Sequence, residues 1–188
     1  DLDNGSSLLI NTNGSFSSGN ELTFNNSTAI INGDVTVNKF NVNSGSVVDL
    51  NSAILTITAR VEIYGTINID GGYTLITGGN VEVFPGGELN LDNGGKLDVQ
   101  GGNITNSGII DLCSTCCTTT SGNWRNNSNG TVTGSGAARS DNGNMRNFGS
   151  WALTVSWCSA GAQQGMPGFE NCLTANATCG LVVLPVEF

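Results

Sequence analysis

The chain has 188 residues, of which only 11% are charged, and it carries a formal charge of −9 with no histidine. Without histidine the commonest general base is missing, and Ser-His-Asp or Cys-His nucleophilic machinery is impossible. The six basic residues, Lys39, Arg60, Lys96, Arg125, Arg139 and Arg146, are scattered along the sequence; with no basic stripe to neutralise phosphates, nucleic acid is not an expected partner.

Taken in chain order, the sequence is a run of short alternating segments. It begins loosely with Leu8-Leu9-Ile10 and Leu22-Thr23-Phe24 and becomes regular after Ala29. Val35-Thr36-Val37, Phe40-Asn41-Val42, Ile54-Leu55-Thr56-Ile57, Val61-Glu62-Ile63 and Ile67-Asn68-Ile69 follow. Then come Val81-Glu82-Val83, Leu89-Asn90-Leu91, Leu97-Asp98-Val99 and Ile109-Ile110-Asp111-Leu112. Turn formers separate them, among them Asn32-Gly33, Gly78-Gly79, Pro85-Gly86-Gly87 and Asn93-Gly94-Gly95. Period-two alternation buries one face of each strand. The spacing is tighter than the ~8–12 residues of a hairpin sandwich and fits a solenoid, in which three strands and three corners make a coil of ~20–24 residues.

The expected fold is therefore all-β: a β-solenoid (parallel β-helix) with three short strands per coil. Between about Ala29 and Leu112, Val35, Val37, Ile57, Ile67, Ile69, Val81, Val83, Leu89, Leu91, Leu97 and Val99 should point inward. Thr36, Asn41, Glu62, Asn68, Glu82, Asn90 and Asp98 should form a wet outer wall, so that Asn90→Asp is expected to be nearly neutral. Asparagine suits the corners by tolerating positive φ, and it can stack as a side-chain ladder between coils. Three segments emerge: a repeat body at 1–112, a less regular continuation with longer loops at 113–157, and a disulfide-stapled C-terminal segment at 158–188. The middle segment carries strand fragments at Thr131-Val132-Thr133 and Trp151-Ala152-Leu153-Thr154-Val155.

All six cysteines, Cys113, Cys116, Cys117, Cys158, Cys172 and Cys179, lie in the last two fifths. Cys113-Ser114-Thr115-Cys116 looks like half of a zinc ribbon, but its second half is missing, so disulfides in an oxidising compartment are the better reading. Adjacent Cys116 and Cys117 should have separate partners. Cys158 is expected to pair with Cys172, and one of the early cysteines with Cys179.

Catalysis finds little support. Asp34, Asp49, Asp70, Asp92, Asp98 and Asp111 fall at strand ends and corners, where turns favour aspartate on their own account. Asp92 and Asp98, with Lys96 nearby, are the one carboxylate pair that adjacent strands could bring together. Asp70-Gly71-Gly72 alone does not make a calcium-binding nonapeptide array. No catalytic residue, cofactor or metal is assigned. Trp124, Trp151 and Trp157 either form a carbohydrate platform or close the core.

The stretch Trp157-Cys158-Ser159-Ala160-Gly161-Ala162-Gln163-Gln164-Gly165-Met166-Pro167-Gly168-Phe169-Glu170-Asn171-Cys172 resembles a motif of secreted Bacteroidota proteins. The closing Val183-Leu184-Pro185-Val186-Glu187-Phe188 is similar to the segment that precedes the sorting domain of type IX secretion cargo in that family. The resemblance covers about thirty residues. It implies export through the outer membrane and an extracellular or cell-surface location, and it says nothing about activity.

The combined expectation is a non-catalytic extracellular structural protein, a subunit of a surface fibre or layer assembled head-to-tail into a homo-polymer. Leu8, Leu9 and Ile10 at one end and Leu181, Val182, Val183, Leu184 and Val186 at the other would carry the contact, by strand addition. A monomeric adhesin or carbohydrate-binding module that holds a surface glycan is the alternative, and a polysaccharide-degrading β-helix enzyme the third. No apolar run is long enough to predict a membrane span.

Overall fold

The computed structural model describes residues 1–71, 73–76 and 78–166. Alternating short strands bury one face each, and here they do so by winding into a parallel β-solenoid of eight coils. Each coil contributes one strand to each of three faces. On the first face the inward positions succeed one another as Leu8, Ala29, Val48, Ile67, Leu89, Ile110, Val132 and Trp151. On the second they run Phe16, Val35, Leu55, Thr74, Leu97, Thr118, Ala138 and Trp157. On the third they run Leu22, Phe40, Val61, Val81, Ile104, Trp124 and Met145. Successive equivalents on the first face lie 19–22 residues apart.

The corners change character along the rod. In the early coils the second and third faces are single bent strands, Ser15–Asn25, Asp34–Val42 and Ile54–Ile63, with the bend absorbed by a register shift. Further on, a glycine corner separates the two faces. A Cβ on Gly79 would lie 1.2 Å from the Ala59 carbonyl oxygen, and one on Gly102 would lie 2.2 Å from that of Gly79. Only glycine lets the stacked backbones approach this closely.

The eleven expected inward residues are all buried, none more than 3% exposed. They form one continuous apolar core that extends from Ile10 to Trp157. Phe24 and Phe40 pack with ring centroids 5.4 Å apart, and Trp124 meets Trp151 edge-on at 5.1 Å. The three tryptophans are buried, so they close the core and make no exposed platform. Their burial is compatible with their polarity: the indole N–H of Trp124 donates to Thr118 Oγ1 and that of Trp151 to the Val155 carbonyl, both at 3.2 Å. The strand expected over Trp151–Val155 is a strand only at Ser150–Trp151. Beyond it the chain turns, with Val155 N–H donating to the Ala152 carbonyl, because this stretch sits at the corner that Asp92-Asn93-Gly94-Gly95 occupies three coils earlier.

In the later coils two inward columns become polar. Phe24, Val42, Ile63 and Val83 give way in register to Asn106, Asn126 and Asn147. Asn106 donates to Asn126 Oδ1 at 2.9 Å, and Asn126 donates to Asn147 Oδ1 at 2.8 Å and to the Ser150 carbonyl at 2.9 Å. On the second face Thr120, Ser140 and Ser159 donate to the carbonyls of Gly102, Gly122 and Gly143, the glycine corners one coil back. Buried polar groups are tolerated when paired in this way. Thr74 is different: its hydroxyl is buried among Leu55, Ile57 and Leu97 with no partner among the described residues.

Replacing Leu91, 1% exposed, with aspartate buries an unpaired charge at a cost of several kcal/mol (~3 or more) and should leave no folded protein by circular dichroism. Outward Asn90 is less indifferent than the alternation suggests, since it donates to Asn68 Oδ1 at 3.0 Å and faces Asp111 in the next coil. Thr74→Val removes a hydroxyl with no partner among the described residues and should stabilise the protein by about 1 kcal/mol in denaturant titrations. A loss of stability in that variant would mean that the hydroxyl is bonded after all.

Candidate binding groove and rod end

The local repeat Gly-Asn-apolar-x-Asn occurs three times, as Gly102-Asn103-Ile104-Thr105-Asn106, Gly122-Asn123-Trp124-Arg125-Asn126 and Gly143-Asn144-Met145-Arg146-Asn147. Coiling sets the three copies directly on one another on the third face. The apolar residue and the second asparagine point inward. The residue between them points out, so Thr105, Arg125 and Arg146 form one column, with Arg125 and Arg146 exposed neighbours on adjacent strands. The first asparagine of each copy, preceded by Asn80, forms the wall of a shallow groove of ≈250 Å³ beside that column.

The groove wall is a hydrogen-bonded ladder with a direction. Asn80 Oδ1 accepts both the backbone N–H and the side-chain Nδ2 of Asn103. Asn103 Oδ1 accepts the same two donors from Asn123. Asn123 Oδ1 then accepts the Asn144 backbone N–H, and Asn144 Oδ1 that of Ala162. Because backbone N–H groups can only donate, the oxygen of each amide is fixed toward the next coil. The oxygens of Asn80 and Asn103 thereby accept two bonds each and those of Asn123 and Asn144 one, while each NH2 group keeps at least one hydrogen free of the ladder. On the far side of the arginine column, Arg125 lies over the Phe148 ring, 5.2 Å from its centroid.

The amino-terminal end of the rod has a different chemistry. Strand Ser7–Ile10 buries Ile10 and half-buries Leu8 against the core, but leaves Leu9 60% exposed beside Ile30. Phe16 stands in the inward column of the second face and is still 39% exposed, because among the described residues the strand Leu2–Asp3 pairs only with Phe24 and Asn25 of Ser15–Asn25 and leaves its second-face part uncovered on the outer side. Asp1, Asp3 and Glu21 lie on this coil. Asn25 donates to Asp3 at 2.6 Å, and Glu21 accepts from Thr23 Oγ1 at 2.6 Å and from Asn41, with Lys39 at 4.0 Å. The Thr23 hydrogen bond, helped by Lys39 and Asn41 and opposed by slight burial, holds the Glu21 carboxyl below the ordinary glutamate range.

Charge is therefore polarised along the axis. Residues 1–111 hold twelve of the 15 acidic residues and three of the six basic ones, whereas residues 112–166 hold Arg125, Arg139 and Arg146 against Asp141 alone. Arg139 pairs with Asp141. The other two arginines are the groove's.

The remaining sequence-derived sites fall apart or lie elsewhere. Asp92 ends a first-face strand and Asp98 lies on the second face, so the carboxylate pair does not assemble on one sheet. The aspartates serve the ladders: Asp49 accepts from Asn68 at 2.7 Å, Asp70 from Asn93 at 2.5 Å and Asp98 from Thr119 at 2.8 Å. Among the described residues no three metal-ligating side chains gather in one place. Cys113 and Cys116 are disulfide-bonded across a single corner, where the Cys116 N–H also donates to the Cys113 carbonyl. Cys116 and Cys117 thus do not share a partner. Cys117 and Cys158 are buried, and the partners expected for late pairings, Cys172 and Cys179, lie outside the described residues, as do Leu181, Val182, Val183, Leu184 and Val186. Among the described residues no helix is long and apolar enough to cross a membrane.

Comparison with models of known protein families, with curated proteins and with solved structures finds no match to this chain.

A depressed folded-state pKa contributes stability that is present above the unfolded value and is lost as pH falls through the folded one. The Glu21 carboxyl should accordingly titrate below an ordinary glutamate when followed by NMR, and Thr23→Val should move the midpoint upward. A midpoint at or above the ordinary value in the parent protein would contradict the hydrogen-bond geometry at this end.

Proposed function

We propose that the protein is a non-catalytic extracellular structural subunit that stacks head-to-tail into a fibre or surface layer. The observation that carries this reading is the uncovered core column at the amino end, where Phe16 occupies an inward register position but meets solvent. A second copy placed coaxially would cover Phe16 and Leu9 and would offer strand edges to the backbone groups of the first coil. The two ends differ, so such a contact is heterologous and propagates instead of closing. The charge polarity favours the same arrangement, since the acidic amino-terminal coils would approach coils whose described residues carry an excess of arginine. Surface location is supported by the resemblance of the C-terminal segment to type IX secretion cargo. The apolar run Leu181 to Val186 of that segment is proposed to join the contact by strand addition.

The native chain, held under oxidising conditions, should form filaments at high concentration in electron micrographs and in sedimentation velocity, with assembly weakened by salt. Replacing both Leu9 and Phe16 with lysine should abolish filaments and leave a folded monomer, because neither side chain is fully buried within the subunit. Deleting 181–188 with retention of the fold and loss of filaments would assign the tail to the contact. A parent protein that stays monomeric at low salt and high concentration would overturn the proposal.

A further inference from the structure

We propose that the asparagine-walled groove on the third face binds an acidic polysaccharide, holding its carboxylates on Arg125 and Arg146. The starting point is an electrostatic oddity. Arg125 and Arg146 are directly opposed on adjacent parallel strands, about 4.8 Å apart in the hydrogen-bonding direction. Like charges facing each other across a strand pair are destabilising. Neither makes a salt bridge with a carboxylate of the described residues, although the protein as a whole has a large acidic excess and three of its other four cations, Lys39, Arg60 and Arg139, do. A bound anion lying along the column relieves this repulsion.

The groove wall selects the same kind of ligand by hydrogen-bond polarity. The ladder Asn80, Asn103, Asn123, Asn144 spends its carbonyl oxygens on the next coil and turns spare N–H donors loose. Together with two guanidinium groups this makes a lining rich in donors and poor in free acceptors. Its complement is a ligand rich in acceptors: carboxylate oxygens for the planar arginine forks, which match a carboxylate in bidentate fashion, and ring and hydroxyl oxygens for the amides. Arg125 is held in place by its contact with the Phe148 ring, 5.2 Å away, so part of the ordering is done before the ligand arrives. The repeat of the wall along the axis, one asparagine per coil, suits an extended polymer that lies along the rod. Two cations without a wider basic field fit a chain whose charge is diluted by hydroxyls better than one with a phosphate at every unit.

Site and assembly are separable, because binding is read on the monomer below the concentration at which filaments would form. The full chain is titrated calorimetrically at low ionic strength with oligogalacturonate. Saturable binding is expected. Arg125→Gln and Arg146→Gln should each weaken it roughly tenfold, as loss of a charge-assisted hydrogen bond does. Arg125→Lys, which keeps the charge but loses the fork, should fall between parent and Arg125→Gln. Arg139→Gln, outside the groove, should bind as the parent does. Because Arg125 and Arg146 are exposed, the variants should retain the parent's circular dichroism spectrum. No binding, or binding unchanged in the double Arg→Gln variant, overturns the proposal. So does equal affinity for neutral dextran, for polyglutamate or for single-stranded DNA, each of which removes the polysaccharide carboxylate as the recognised group. Inorganic sulfate binding as tightly as the oligomer would reduce the groove to a small-anion site and likewise refute it.

Discussion

Register is the constraint on which the rest of this structure depends. In a parallel solenoid each residue faces its own equivalent one coil away, at the ~4.8 Å of a strand pair, with no freedom to slip without turning the core outward. Whatever chemistry occupies a position is therefore repeated along the axis or confronted by its replacement. Apolar positions become continuous columns, and glycine corners become a file of backbones too close for a Cβ, as at Gly79 and Gly102. Asparagines become ladders. A charge placed on an outward position meets whatever stands there in the next coil, as Arg125 meets Arg146.

The two halves of the rod satisfy that constraint with different materials. The earlier coils fill the inward columns with Val, Ile, Leu and Phe, at ~1.5–3 kcal/mol for each side chain buried. The later coils place Asn106, Asn126, Thr120 and Ser140 inside, all fully buried, and bond each one to a neighbouring coil, while Thr118, equally buried, accepts from the Trp124 indole of its own coil. Hydrogen bonds of this kind contribute modest net stability but a large penalty for being broken. The polar half thus enforces one stacking register, while the apolar half supplies most of the driving force. Two tryptophans in edge-to-face contact fill the width that the smaller Thr and Ser side chains leave.

The coil, the three faces and the inward set from Val35 to Val99 were legible in the sequence because period-two alternation and glycine-marked corners are local signals. The groove was not. Arg125 and Arg146 read as scattered charges in a linear chain, and only the coil length of about 20 residues makes neighbours of them. The signal that would have found them is the repeat Gly-Asn-apolar-x-Asn, which is visible once the chain is aligned on itself at that period. The fate of the tryptophans was also open, since an aromatic residue at an alternating position is equally at home in a core or on a platform. Its burial is decided by how small the inward residues around it are, here Thr118, Thr120 and Ala138. The carboxylate pair Asp92 and Asp98 failed for the opposite reason: residues close in sequence were carried to different faces by the corner between them.

The central claim is that the axis of the parallel ladder is also the axis of assembly, so that one subunit continues the stacking of the last. X-ray diffraction from oriented fibres of the native protein tests this most directly. The account predicts a meridional reflection near ~4.8 Å, along the fibre axis, because the strands of every coil lie across it and stack along it. A reflection of that spacing on the equator, or fibres without one, would show that the subunits assemble side by side or in some other way, and would contradict coaxial stacking.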